Sequence, residues 1–159
     1  MQVNTEAKII GGIGLLTLAI LVGGVFFLSK TENPSVPESE IAERNGLHWH
    51  PKLTVTIKGQ RQEIPANLGI GAVHQDLHTH DQDAKDGVIH MEMKGIVTKD
   101  ELKLRNFFRI WGKEFSSIQI FDKKNGEEGN VKMMVNGKES TDFENYQMRD
   151  GDNIEIRYE

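Results

Sequence analysis

Six histidines, His48, His50, His74, His78, His80 and His90, crowd into positions 48–90 of a 159-residue chain. Neutral imidazole ligates zinc, copper, nickel and iron, and a neighbouring carboxylate extends the choice to harder ions. Three short strings carry the pattern. His48-Trp49-His50 stands just ahead of a run with strand character, and residues two apart in extended backbone share a face, so the two rings can converge. His78-Thr79-His80-Asp81 repeats the spacing, with Asp81 as a further ligand or as a partner that orients a histidine. His90-Met91-Glu92 sets an imidazole and a carboxylate on one strand face and sends Met91 and Met93 to the other. Core packing has no use for paired imidazoles. His48, His50, His78, His80, His90, Asp81 and Glu92 are therefore the expected metal ligands, with copper or zinc as the ion. His74, alone in a glycine-rich loop, reads as a surface side chain. Met91, Met93, Met133 and Met134 bring soft sulfur that would favour copper, unless their strand positions make them core.

Catalytic metal signatures fail on particular residues. The His-x-His-x-Asp-His of metallo-β-lactamases would need Asp at 82 and His at 83, where Gln82 and Asp83 stand. A cupin would place Glu four or five residues after His80, where Ala84 and Lys85 stand, and His-Glu-x-x-His is absent. An amidohydrolase barrel of about 250 residues does not fit the length. Ser116, Ser117 and Ser140 lack the strand–turn–helix setting of a nucleophile elbow. An enzyme would need an open metal position with Glu92 or Asp81 as base, which makes it the weaker alternative to a binding module.

Composition narrows the classes further. A net charge of −5 argues against nucleic-acid binding, which draws on a basic surface. No cysteine is present, which removes disulfides, thiolate zinc sites, iron–sulfur clusters and a cysteine nucleophile.

The elements that must hold the histidines lie in the later part of the chain. Ile9 to Leu28 carries no charge, and a helix of that length spans about 30 Å, the thickness of a hydrocarbon core. The run exceeds a signal peptide's apolar core and lacks an Ala-x-Ala-like site, so residues 1–30 are expected to be an uncleaved anchor crossing the bilayer over about 9–29. With so short a tail before the helix, the mass after it is expected outside the cytoplasm, at the cell membrane. Residues 31–45, polar and interrupted by Pro34 and Pro37, read as a flexible linker.

Residues 46–159 read as an α+β domain. Alternation over 52–58 and 88–93 predicts strands, with a return strand after Gly59 over 61–65. Thr98-Lys99-Asp100-Glu101 has the form of a capping box, and Leu104, Phe107, Phe108 and Trp111 form a helical stripe ended by Gly112. Strands follow over 117–121, 131–135 and 153–158, with Asn136-Gly137 as a hairpin turn. The expected architecture is one main helix packed on a mixed sheet.

Two resemblances attach to these residues. The ending VKMMVNGKES…MRDGDNIEIRYE resembles a β-grasp (ubiquitin-like) domain such as the small sulfur carriers. It implies the fold alone, because those carriers finish in Gly-Gly and this sequence finishes Arg157-Tyr158-Glu159. The string HWHPKLTVTIKG…LHTHD…GVIHME is similar to a group of single-pass membrane-anchored proteins that brings no defined activity with it. The expectation is an anchored, extracytoplasmic copper- or zinc-binding domain. The alternative is a metal-free structural module whose sheet edge pairs with a partner protein.

Overall fold

The computed structural model describes residues 36–159, together with Thr17 and Ile20, both in helical conformation. The expected anchor over 9–29 otherwise lies outside the described residues, as does most of the first half of the linker. No helix among the described residues is long and apolar enough to cross a membrane.

Strand β3 (Lys52–Ile57) shows why its sequence makes a sheet. Leu53 and Val55 are buried while the lysine and threonines between them are more open, the period of two that a half-buried strand requires. It lies parallel to β13 (Asn153–Tyr158), with Leu53 beside Ile154 and Val55 beside Ile156. β11 (Val131–Val135) runs antiparallel on the far side of β13 and turns through Asn136 and Gly137 into β12 (Lys138–Glu139). Both turn residues have positive φ, +52° and +77°, the backbone that a two-residue hairpin demands. With β4 (Gln60–Arg61) on the other edge, the sheet order is β12-β11-β13-β3-β4.

A second sheet holds the histidines. β2 (Leu47–Trp49), β5 (Leu77–His78) and β6 (His90–Met93) pair antiparallel in the order β2-β6-β5. It is tied to the larger sheet just before β6: Leu53 N–H donates to Gly87 C=O at 2.8 Å and Ile89 N–H to Pro51 C=O at 2.9 Å. At that crossing Gly87 has φ +80°, and a Cβ there would stand 2.2 Å from the Leu53 oxygen, so no other residue fits.

Helix α1 (Leu104–Trp111) buries Leu104, Phe107 and Phe108 and packs against β5 and β8 (Phe115–Ser116). Gly112 ends it in the left-handed region. The capping pair forms, with Thr98 N–H donating to Glu101 Oε2 at 2.7 Å, but it closes a turn three residues ahead of the helix. Lys103 is held extended opposite Gln147 by Met148 N–H to Leu102 C=O and Leu104 N–H to Tyr146 C=O, and this delays the helix start.

Two other segments differ from the sequence reading. Residues 117–121 do not form one strand; β8 and β9 (Gln119–Ile120) make a hairpin that puts Phe115 opposite Ile120, both buried, and turns through exposed Ile118. β10 (Lys123–Lys124) then adds to β9. In the linker, β1 (Ile41–Glu43) pairs with β7 (Val97–Thr98), and residues 37–159 form one unit. Pro37 lies before β1, where it interrupts no ladder, and Pro34 lies outside the described residues.

Candidate metal centre

The three-stranded sheet sorts its side chains by the strand period. One face enters the core: Leu77, Met91 and Met93 are buried, and Leu47 and Trp49 pack against the same cluster. The opposite face carries His48, His78, His90 and Glu92, with His50 and His80 just beyond the strand ends. Register then sets the partners. His48 lies across from Glu92, and His78 lies across from His90. A slip of one residue would exchange the imidazoles with Met91 and Leu77, so burial of the apolar face enforces this pairing.

Two groups of potential ligands result. One ligand atom from each of His78, His80, His90 and Glu92 lies within 4.8 Å of the others, and the same holds for His48, His50 and His90. All six imidazoles touch in one chain. Ring centroids are 4.6 Å apart for His48–His50, 4.8 Å for His50–His90, 4.5 Å for His80–His90, 4.8 Å for His78–His80 and 4.3 Å for His74–His78.

His78 is fully buried. Its Nδ1 lies 3.1 Å from the Gln75 carbonyl, which can only accept, so Nδ1 carries the proton and Nε2 the lone pair. Burial is the leading cause that holds this imidazole below its usual pKa and keeps it neutral, against the pull of the Gln75 carbonyl. Nε2 has no hydrogen-bond partner, although it is buried, and lies 3.9 Å from Glu92 Oε1. An orphaned polar atom of this kind costs about 1–3 kcal/mol unless something fills its lone pair.

His90 has the same design by other means. Its Nε2 lies 2.9 Å from Asp83 Oδ2, so Nε2 donates and Nδ1 is left with the lone pair. A histidine that gives one N–H to a carboxylate or carbonyl and offers the other nitrogen outward is the usual arrangement behind a metal ligand. Glu92 Oε1 also stands 3.2 Å from His48 Nε2.

The loop that brings His78 and His80 in is pinned by Thr79. This buried threonine donates through Oγ1 to Pro65 C=O at 2.7 Å and accepts from Leu68 N–H at 3.1 Å. Gly69 passes so close that a Cβ would stand 2.5 Å from the Leu77 oxygen. At the other end, His50 N–H donates to Asp150 Oδ1 at 2.8 Å and fixes the turn into β3.

Six of the seven expected ligands thus converge on one sheet face. The seventh, Asp81, lies outside both groups, where its Oδ1 accepts from Asn67 Nδ2 at 2.6 Å. Asp83 and the Gln75 carbonyl were not legible as orienting groups, because each reaches its histidine through loop geometry that no spacing rule encodes. Met91 and Met93 face away from the imidazoles, and Met133 is buried under the larger sheet. Comparison of the chain with protein-family models, curated proteins and solved structures gave no match.

Proposed function

We propose that the chain is a membrane-anchored, extracytoplasmic protein whose domain binds a zinc or copper(II) ion through His78, His80, His90 and Glu92. The observation that carries this reading is His78 Nε2, a buried atom without a hydrogen-bond partner, 3.9 Å from Glu92 Oε1 on a residue grouped with His80, His90 and Glu92. Hydrogen bonding within the loop accounts for His78 Nδ1 and His90 Nε2 but leaves that atom unexplained, which favours the metal reading over a metal-free module. Three nitrogens and a carboxylate oxygen suit zinc or copper(II). Thioether sulfur, which would have drawn the choice toward copper(I), lies on the other face of β6. The anchor rests on the uncharged run over residues 9–28, long enough as a helix to cross a hydrocarbon core. A β-grasp-like reading of the domain is supported by its sheet order, with a parallel first and last strand at the centre.

Metal analysis of the full-length protein, purified without a histidine tag, tests the reading. About one zinc or copper per chain is expected. Adding either ion at about 100 times its Kd should stabilise the protein by about 2.7 kcal/mol. A metal-free preparation whose melting temperature ignores both ions overturns it.

A further inference from the structure

We propose that the histidines form a two-position path, in which His48, His50 and His90 receive a divalent ion at the surface and pass it inward to His78, His80, His90 and Glu92. This rests on the metal-binding reading above and adds a second position and a direction of travel.

Three observations carry it. The first is that the two groups share His90. Because His90 Nε2 donates to Asp83, one nitrogen remains to bind an ion, and His90 serves one position at a time. The positions therefore exclude each other and describe alternative places for one ion.

The second is exposure. The side chains are 62% exposed at His48, 42% at His50 and 45% at Glu92, but 13% at His90 and 0% at His78. A hydrated ion can meet His48, His50 and Glu92 directly, whereas His78 has no surface to offer it.

The third is the bridge. Glu92 Oε1 lies 3.2 Å from His48 Nε2 and 3.9 Å from His78 Nε2, so one carboxylate reaches toward both positions. The transfer is a ligand exchange. With His90 retained, bonds to His78 and His80 form as those to His48 and His50 break, and Glu92 follows the ion. The oxidation state is unchanged and no co-reactant is needed. Protons leave any histidine that was charged before it bound.

The test uses zinc with the full-length protein, and measures equilibrium affinity, stoichiometry and the rates of loading and of release to a chromophoric chelator by stopped flow. Wild type should bind one ion. The double variant His48→Gln/His50→Gln, at exposed sites that leave the core untouched, should keep its Kd within about threefold while both rates fall about tenfold. His80→Ala, which opens the inner group, should still bind one ion on the outer histidines, with Kd weakened about 100-fold and faster release. Unchanged rates in the double variant, or two ions held together by wild type, overturn the path while leaving metal binding intact. Loss of all zinc binding in His80→Ala overturns the outer position. If wild type binds no zinc, the metal reading and the path fail together.

Discussion

His78 and His90 stack across the β5–β6 pair with ring planes 17° apart and centroids 5.5 Å apart, and each gives one N–H to an oxygen behind it. Both rings are thus fixed in tautomer and in rotation before any ion arrives. Preorganisation of this kind lowers the ordering cost that a flexible histidine loop would meet on binding.

Asp83→Asn removes the charge behind His90 and frees the amide to present its NH2 group to the ring. Zinc affinity is expected to fall about 10- to 100-fold with the fold retained. Competition titration against a chelator, with circular dichroism alongside, checks this; an unchanged Kd would show that Asp83 does not orient the ligand.

Acid should destabilise the metal-free protein through His78. Its folded pKa is held below the ordinary 6.5 by burial, so the unfolded state takes up the proton first as pH falls. Stability is level above 6.5, declines as pH drops through it, and goes on declining until folded His78 is protonated. Melting temperatures between about pH 8 and about pH 5 should show the decline, and His78→Gln should flatten it. An equally steep fall in that variant would assign the effect to other groups.

Met91 is fully buried on β6 between two of the site's side chains. Met91→Ala should cost about 2–5 kcal/mol in urea unfolding, because the cavity forms beneath the strand that carries His90 and Glu92. Zinc affinity should weaken with it, since both ligands depend on that strand. A loss below about 1 kcal/mol would mean that the site sheet is not anchored through this face.

Gly69→Ala tests the close approach of the loop. Gly69 has φ +77°, and its new Cβ would meet the Leu77 oxygen at 2.5 Å and His78 Cβ at 3.2 Å. Destabilisation of about 1–3 kcal/mol is expected, with weaker zinc binding as His78 is displaced. Gly71→Ala, where a Cβ meets nothing within 4 Å, should leave both quantities unchanged and serves as the control.

Much of the site was readable from local pattern. The two-residue spacings of His48 with His50, of His78 with His80 and of His90 with Glu92 specify shared faces, because alternation along a strand is a property of the backbone alone. The same rule put Met91 and Met93 opposite His90, and the core of α1, the Asn136-Gly137 turn and strands β3, β11 and β13 followed from equally local signals.

Facts that depend on register and on chain crossings were not readable this way. No spacing says that His48 faces Glu92 or that His78 faces His90, since strand pairing joins segments separated by loops of arbitrary length. Asp83 found His90 through the turn before β6, and the burial of His78 required Thr79 to hold its loop against Pro65. The strand at Ile41–Glu43 and the late start of α1 likewise came from partners distant in sequence. Backbone periodicity assigns each side chain to a face, but long-range pairing chooses which faces meet, and a metal site exists only where they do.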